Sequence, residues 1–487
     1  MGMMKIRKET VDPRKTNEIE ENKDAMGNAD KKIGKTSIRK NKAQVQVMLR
    51  QFFPLLITIG LQMLLALIVN LVDNFMLGAY SETAMSGASL VNQIQFVVQQ
   101  ITGGIAAGIT VLGAQYWGKQ DTNAIKKIIS VGLKFAFAVG LIFSLATAIF
   151  PREILDLFTT DPAILEEGVK YLQIMSWTYL IFAISSTLMR SLQCVETAFI
   201  GTIMSASTIV INFCVNYVLI YGNFGAPALG IRGAAYATLA SRIVELLIIL
   251  IYILWIDKKL KMQVCDLFRI HSGYLKDFIQ VAFPLMISGA MWGVAQAAQT
   301  AVLGHINATT IAANSIAVTV FQVFLMFGSA CANASAVIMG KTVTNNREMI
   351  RTFTCVLQIC FLCIGIFLGA LLLLFKDGIV NLYNVTDETK ELAKEFLLIL
   401  GITMVGSVYE YPVMSGIIAG GGDTKYEAIV DNSFMWIFTI PMACLSAFVF
   451  HWTPIVTFLF LKLDQFLKCI PNGIYCNTYK WVKDWTR

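Results

Sequence analysis

The chain has 487 residues, of which 56% are hydrophobic and 15% are charged, and its formal net charge at pH 7 is +7. A soluble globular domain has about 25% charged residues, so this composition argues against a soluble multidomain enzyme. Ten scattered cysteines in a chain of this length also exclude a secreted disulfide scaffold. With a mean hydropathy of +0.63, the chain is predicted to be an all-α, polytopic integral membrane protein.

The positive charge is concentrated at the N-terminus. Residues 1–50 contain 13 Lys and Arg against 7 Asp and Glu, which accounts for six of the seven net positive charges. Because this region is polar and lacks apolar periodicity, residues 1–48 are predicted to be a disordered, basic cytoplasmic tail. Its acidic and basic residues are interspersed, which favours a solvated tail over an arm that binds nucleic acid or anionic lipid. No apolar stretch with a cleavage site opens the chain, so no signal peptide is predicted.

Apolar stretches long enough to cross a bilayer recur along the rest of the chain. A spanning helix needs about 20 residues. Twelve stretches are predicted, near 51–79, 87–113, 128–150, 170–190, 199–222, 231–256, 277–304, 312–339, 352–375, 395–419, 427–450 and 452–470, the last two separated only by His451. They divide into an N-terminal six-helix lobe at 49–256 and a C-terminal six-helix lobe at 277–470. A cytoplasmic linker at 257–276 joins the lobes, and residues 471–487 are predicted to form a cytoplasmic C-terminal tail.

The charges of the loops predict the orientation in the membrane. Positive charge collects in cytoplasmic loops, and the loops of this chain alternate in charge. Basic residues outnumber acidic ones in Gln115–Lys127, Asp257–Asp277, Lys341–Arg351 and Lys462–Arg487, whereas acidic residues outnumber basic ones in Arg152–Lys170 and Lys376–Glu395. This alternation predicts that both termini are cytoplasmic and that the number of spans is even.

The two halves of the membrane region resemble each other. With a constant shift of 226 positions, residues 73–121 align with 299–347 without a gap, so that Leu77 falls on Leu303 and Ser89 on Ser315. A second stretch, 150–158, aligns with 375–383. Since each unit has six spans, both halves enter the membrane from the same side and are parallel repeats related by a pseudo-two-fold axis. This architecture is typical of secondary transporters whose binding site lies between two rocking halves.

Four segments resemble a known family. They are Val72–Gly78 at the end of the first span, Gly225–Thr238 between the fifth and sixth spans, Gly420–Lys425 between the tenth and eleventh, and Trp481–Arg487. In this order the chain resembles the multidrug and toxic compound extrusion (MATE) transporters, within the larger multidrug, oligosaccharidyl-lipid and polysaccharide exporter superfamily. The resemblance covers about residues 50–487. It implies a twelve-helix, two-lobed antiporter that exports organic, often cationic, compounds and is driven by inward flow of Na⁺ or H⁺.

Asp73 is the strongest candidate for cation coupling. An ionisable residue inside the membrane is expensive and is a functional candidate by default. At 100° per residue Asp73 shares one helix side with Gln62, Asn70 and Asn74, which must face protein or water. A carboxylate there can accept H⁺, or it can bind Na⁺ together with amide oxygens, so the residues leave both ions open. The resemblance also implies a coupling role for Asp73, and it marks Asn212 and Asn216.

The second lobe offers a different set of polar residues. Asp73 aligns with Gln299, and Asn70 with Gln296, so only the first lobe carries the carboxylate at this position. Glu410 in the tenth span is the best remaining candidate for a coupling acid in the C-terminal lobe. Further polar and aromatic residues on the inner helix faces are predicted to line the substrate cavity, with interhelical hydrogen bonding as the alternative: Gln62, Asn74, Asn92, Gln95, Gln99, Trp292, Gln296, Gln299 and Tyr409.

Several other classes of protein are disfavoured by the sequence. No phosphate-binding loop is present, so export must use an ion gradient or none. No cofactor and no metal site is predicted, except Na⁺ at Asp73, and no convergent catalytic groups suggest an enzyme. A flippase for lipid-linked sugars is the main alternative, but it would need several cationic residues in the cavity, for which Lys134, Arg190 and Arg242 are the candidates in or beside spans. A channel would usually form an oligomer around a pore, and the two-lobed repeat argues against it. The expected partners are small organic cations and the lipid bilayer, with no nucleic acid, and we expect a monomer.

Overall fold

The fold is known from a computed structural model that describes residues 13–159, 161–269, 272–383 and 385–486. Within these ranges the chain is helical and has no β-strand. The helices are α1 Pro13–Tyr80, α2 Glu82–Gly118, α3 Thr122–Ile149, α4 Pro151–Leu155, α5 Pro162–Cys194, α6 Phe199–Tyr221, α7 Ile231–Ile251, α8 Val264–Phe268, α9 Ser272–Gly304, α10 Ala308–Asn345, α11 Ile350–Asn381, α12 Asp387–Tyr411, α13 Thr424–Ser433, α14 Ile440–Cys444, α15 Pro454–Leu467 and α16 Cys469–Thr478. The predicted all-α membrane fold is therefore confirmed.

Eleven helical segments of the described residues are long and apolar enough to cross a membrane. Each corresponds in order to one of the first eleven predicted spans. The twelfth predicted span is divided, because α15 has 14 residues and is followed after Lys468 by α16, which has 10. The backbone of Lys468, between the two helices, keeps helical angles (φ −66°, ψ −23°).

Residues 1–50 and 51–487 form two separate units. The first unit contains the start of α1, which is helical from Pro13. The prediction of a disordered tail is therefore wrong for residues 13–48, and it lies outside the described residues for 1–12. Low hydrophobicity argues against a core in this segment and says nothing about its helicity. However, between Pro13 and Pro54 the sequence has no proline and many Lys, Glu, Ala and Gln residues, which favour a helix.

Hydrogen bonds at the helix starts repeat between the lobes. The side chain of Ser81 accepts from the backbone N–H of Ala84 at the start of α2, and Asn307 does the same for Thr310 at the start of α10. Both residues satisfy N–H groups that have no partner within the helix. Ser81 and Asn307 are separated by the same 226 positions as the sequence repeat, so the repeat extends to the capping residues.

The lobes meet where small residues allow close contact between helices. A Cβ added to Gly104 or Gly108 on α2 would lie 2.5 Å from the backbone of Met286 or from Cβ of Ala282 on α9. On the other helix pair, a Cβ at Gly340 of α10 would lie 2.8 Å from Cβ of Ala114. Glycine permits such short distances between membrane helices, where packing replaces the hydrophobic driving force. The α2–α9 and α2–α10 contacts therefore hold the two lobes together.

The residues after α16 form a segment that touches both lobes, and we call residues 479–486 the C-terminal strap. The side chain of Gln115 on α2 donates to the carbonyl of Lys483 at 2.9 Å and accepts from the backbone N–H of Trp485 at 2.9 Å. On the side of the second lobe, Lys483 N–H donates to the carbonyl of Gly421 at 3.0 Å, and Trp485 Nε1 donates to that of Gly422 at 3.0 Å. One short segment thus bridges the two lobes by backbone and side-chain hydrogen bonds.

Side-chain burial and ion pairs reinforce the C-terminal strap. Trp481 is fully buried, and its ring packs directly over Gly421. Lys483 pairs with Asp423 at 2.8 Å, and Asp484 pairs with Arg347 at 2.7 Å. At the same end of the bundle, Lys341 of the second lobe pairs with Glu196 of the first. The end of the bundle that carries the strap is therefore closed by contacts between the lobes.

Candidate coupling site and cavity

Three of the predicted coupling residues come together in the first lobe. Asp73 lies on α1 about two turns before the helix ends at Tyr80. Asn216 on α6 donates through Nδ2 to Asp73 Oδ1 at 2.5 Å and to Asn212 Oδ1 at 3.0 Å. Asn212 and Asn216 are one helical turn apart and both buried, so α6 presents a rigid pair of amides to the carboxylate.

The amides of this site have unused hydrogen-bonding groups. Among the described residues, Asn74 Oδ1 and Asn216 Oδ1 are buried without a hydrogen-bond partner. A buried polar oxygen without a partner is costly. A carboxylate next to the free Oδ1 of Asn216 is a donor set that suits a hard cation, and the carboxylate alone suits a proton. The residues of this chain therefore fit either coupling ion.

One neighbour of Asp73 was not singled out in the sequence. Tyr171 on α5 is buried, and it lies within electrostatic range of Asp73 and within hydrogen-bonding range of Thr238 on α7. By sequence Tyr171 is an ordinary core residue, and only the folded chain places it here. The positive charge of Arg242 on α7 also interacts electrostatically with the carboxylate of Asp73. Arg242 pairs with Glu245, three residues further along the same helix, at 2.7 Å.

Other predicted residues of the first lobe lie apart from Asp73. Asn70 is exposed and makes no side-chain hydrogen bond within the described part of the chain, so the structure does not bring it into the cluster. Gln62 lies about 16 Å along α1 from Asp73. It accepts from Gln193 Nε2 at 3.1 Å and donates to Met189 Sδ at 2.9 Å. Both residues differ from the prediction because it rested on their angular position around α1. That angle determines neither the depth of a side chain in the bundle nor the helix that packs beside it.

The polar face of α2 lies near the second lobe. Gln95 is buried, and its Nε2 has no hydrogen-bond partner among the described residues. Asn92 and Gln99 are half-buried. One helical turn after Asn92, Phe96 contacts Trp292 of α9 with 5.8 Å between ring centroids. The predicted cavity residues of α2 and Trp292 thus share the interface between the lobes.

Glu410 belongs to an ion cluster within the second lobe. The ammonium of Lys468 lies 2.9 Å from a carboxylate oxygen of Asp431, 2.9 Å from one of Asp464 and 3.8 Å from one of Glu410. Asn472 Nδ2 donates to the other oxygen of Glu410 at 3.3 Å. Glu410 is therefore buried among groups of its own lobe and does not approach Asp73.

The remaining predicted cavity residues also lie in the second lobe. Gln296 and Gln299 line a polar cavity between α9, α10 and α15. Tyr409 donates to Gln358 Oε1 on α11 at 2.8 Å. The prediction had placed Tyr409 with Trp292 in one cavity, whereas its hydroxyl is held between α11 and α12. The direction of Tyr409 depends on which helix lies beside α12, and the sequence of α12 alone does not contain that information.

A wider groove of about 920 Å³ lies beside the coupling site between α1 and α6. Its lining is mainly apolar and includes Val72, Phe75, Phe213 and Tyr217. Phe75 is 79% exposed, as expected for a side chain that faces lipid tails. Asp73 is not part of this lining, so the groove is a lipid-facing surface and the polar cluster lies on the inner side of α1.

Known proteins resemble this chain over most of its length. A family model described as MatE matches residues 58–218 and 284–445. A probable multidrug resistance protein NorM of Thermotoga maritima is 24% identical over 433 residues, which cover 86% of this chain and 90% of that protein. A probable multidrug resistance protein NorM of Bacillus anthracis is 26% identical over 420 residues, which cover 82% of this chain and 88% of that protein.

Solved structures share the fold. A structure described as the outward-facing conformation of a multidrug resistance MATE family transporter has a TM-score of 0.79 and 17% identity, and it covers 88% of this chain and 95% of that one. The two segments matched by the family model begin at residues 58 and 284, which are 226 positions apart. This spacing equals the shift of the internal repeat, so the parallel six-helix repeat is confirmed.

Proposed function

This chain belongs to the MatE family, and we propose that it is a cation-coupled antiporter that exports organic, often cationic, compounds by alternating access. Its relatives in Thermotoga maritima and Bacillus anthracis are named as probable multidrug resistance proteins, which supports export of such compounds. The observation that carries the coupling proposal is the contact of Asp73 with Asn216 and Asn212 inside the first lobe. The coupling ion is H⁺ or Na⁺, since the donor set suits both.

Coupling follows if the ion and the substrate favour different arrangements of the lobes. An ion at Asp73 neutralises the carboxylate and changes its hydrogen bonds to Asn216. The bound ion then stabilises the lobe arrangement in which this cluster is closed, and the substrate stabilises the other arrangement. A ligand can shift such an equilibrium only by its difference in affinity for the two states. Exchange of one for the other then moves the substrate against its gradient.

We also propose an orientation and a facing state. The strap-bearing end of the bundle is placed in the cytoplasm, because the basic loops Gln115–Lys127 and Lys341–Arg351 lie at that end. That end is closed by the pair Lys341–Glu196 and by the C-terminal strap. The chain is therefore proposed to face outward in this structure, with both termini in the cytoplasm.

A flippase for lipid-linked sugars is less well supported. Pyrophosphate would need several free cations in the central cavity. Lys134 donates to the carbonyl of Arg269 in the linker, and Arg242 is paired with Glu245. Arg190 remains, with a hydrogen bond of 3.2 Å to Gln193. Arg190 alone suits a diphosphate poorly, because Lys462, which also lacks an ion partner among the described residues, lies in a separate cavity of the second lobe.

The test is ethidium efflux from de-energised membrane vesicles with an imposed pH gradient or Na⁺ gradient. We expect efflux to follow one of the gradients in the wild type and to fall by about tenfold or more in Asp73→Asn. Glu82→Gln, which removes an exposed carboxylate at the start of α2, is the matched control and should behave as the wild type.

Two outcomes would contradict parts of the proposal. Gradient-driven efflux that persists in Asp73→Asn but is lost in Glu410→Gln would move coupling to the second lobe. No efflux of any tested cation under either gradient would contradict the drug-export proposal, and uptake of lipid-linked sugars would then be the assay of choice.

A further inference from the structure

A polar cavity of about 230 Å³ lies inside the second lobe between α9, α10 and α15. Its lining includes Gln296 and Gln299 of α9, Asn314 and Gln322 of α10, and Lys462 of α15. The mechanism proposed above uses none of these groups. The charge and the free donors of this cavity decide what it can bind.

Lys462 supplies a positive charge to the cavity. Its side chain is buried, with 8% of the residue exposed. The ammonium donates to Gln299 Oε1 at 3.3 Å and lies 5.8 Å from the ring centroid of Phe458. In the described part of the chain no carboxylate lies within 4.0 Å of it, and Asp464 on the same helix is paired with Lys468 at 2.9 Å. A buried ammonium without an ion partner is costly, and an anion beside it would offset that cost.

Amide groups around the cavity have free donors. Asn314 is buried, with 8% of the residue exposed, and its side chain makes no hydrogen bond to any described residue. Gln296 and Gln322 also line the cavity without a side-chain hydrogen bond among the described residues. Each amide can therefore turn its NH₂ group toward a ligand. By contrast, Gln299 already donates to Met435 Sδ at 3.1 Å.

The internal repeat shows that this cavity reverses the charge of the coupling site. Gln299 stands at the position that Asp73 occupies in the first lobe, 226 residues earlier. In the first lobe a carboxylate faces amides of α6. In the second lobe an amide faces the ammonium of Lys462. The two lobes thus offer sites of opposite sign at equivalent places on their first helices.

We propose that the second-lobe cavity binds a monovalent anion, either a halide or a carboxylate group, with Lys462 as its counter-charge. The amides of Asn314, Gln296 and Gln322 donate hydrogen bonds to it. A volume of about 230 Å³ holds such an anion and excludes most drug-sized molecules. This site is separate from Asp73, so its failure would leave the proposed antiporter untouched.

The test uses the purified full-length protein in detergent. Chloride or acetate replaces isethionate, a bulky sulfonate that is neither a halide nor a carboxylate, at constant ionic strength and constant Na⁺, and the unfolding temperature is followed. We expect one of these anions to raise the unfolding temperature of the wild type by about 3 °C or more. The rise should persist in Lys462→Arg, which keeps the charge, and disappear in Lys462→Gln, which removes it. The anion that acts identifies the ligand as halide or carboxylate.

A direct measurement covers the case in which Lys462→Gln does not fold. Binding of chloride to the wild type broadens the ³⁵Cl NMR line, and acetate should reverse the broadening if both anions share the cavity. Equal effects of an anion on the wild type and on Lys462→Gln would overturn the proposal. So would the absence of both line broadening and any rise in unfolding temperature in the wild type.

Discussion

Asn216 connects the coupling carboxylate to the rest of the first lobe. It donates to both Asp73 and Asn212, and its own oxygen is buried without a partner among the described residues. A hydrogen bond to a charged group is worth about 1.5–3 kcal/mol, which is more than a neutral one. Asn216 therefore positions Asp73, and in the proposed mechanism it would set how readily the carboxylate accepts an ion.

We expect Asn216→Ala to weaken ion coupling without removing it. The concentration of H⁺ or Na⁺ that gives half-maximal efflux should change by about tenfold, because the carboxylate loses one charge-assisted hydrogen bond. The control is Cys214→Ala on the same helix, since Cys214 is exposed. An unchanged ion dependence in Asn216→Ala would show that Asn216 has no positioning role.

The residues of the coupling site were predictable to different degrees. Asp73 was found because a carboxylate within an apolar span is rare and costly. Asn212 and Asn216 were marked by the family resemblance, since helical periodicity cannot tell which face of α6 meets α1. Tyr171 was missed because tyrosine occurs throughout membrane helices as a packing residue. Asn70 was predicted on the same helix side as Asp73, but its side chain is exposed.

At the scale of helices, glycine determines how closely α2 approaches α9. A Cβ on Gly108 would lie 2.5 Å from Cβ of Ala282, whereas a Cβ on Gly103 would meet nothing within 4 Å. On the same helix, Gly108 is therefore the test position and Gly103 is its control. We expect Gly108→Ala to lower stability by about 1–3 kcal/mol, because α2 and α9 must separate.

Thermal unfolding of the purified protein in detergent measures this difference. Gly103→Ala is the control, and it should be neutral or slightly stabilising, because alanine favours a helix more than glycine does. Equal unfolding temperatures of Gly108→Ala and the wild type would show that the close α2–α9 contact is not needed for stability.

The helices themselves were largely predictable from the sequence, because apolar length is a strong signal in membrane proteins. The eleven long spans follow the predicted order. The division of the last span at Lys468 was not predicted, since hydropathy does not show that this lysine is buried against Asp431 and Asp464. The helical tail was missed for a different reason, because low hydrophobicity predicts the lack of a core and not the lack of a helix.

At the scale of the whole molecule, the C-terminal strap closes one end of the bundle. Gln115 makes two hydrogen bonds to the strap, one as donor to Lys483 and one as acceptor from Trp485. We expect Gln115→Ala to shift the protein toward the opposite facing state, because the first lobe loses both bonds. The strap-bearing end of the bundle then opens more easily, and the two facing states exchange more readily.

Distances between spin labels at Lys119 and Glu348, in a background without native cysteines, measure this opening. Both positions are exposed and lie on different lobes at the strap-bearing end. Gln115→Ala should give a longer and broader distance distribution than the parent, whereas Lys425→Ala should not. Identical distributions for Gln115→Ala and the parent would contradict a closing role of the strap.

The two-lobed architecture was predictable from the 226-residue repeat, but the strap was not. The repeat is a property of the sequence alone, and the matched segments at 58–218 and 284–445 confirm it. The strap itself has no apolar periodicity that would mark it in the sequence. Its role depends on Trp481 and Lys483 reaching the loop at Gly421, which only the folded chain shows.

The position of the strap in the chain has a consequence for biogenesis. Residues 479–486 are translated after both lobes, so the lobes enter the membrane before the segment that fastens them together exists. During this interval the two halves are free to insert and pack separately. A chain released before residue 479 is synthesised would contain both lobes but would lack the C-terminal strap. The order of synthesis therefore lets each lobe fold on its own before the C-terminal strap closes one end of the bundle.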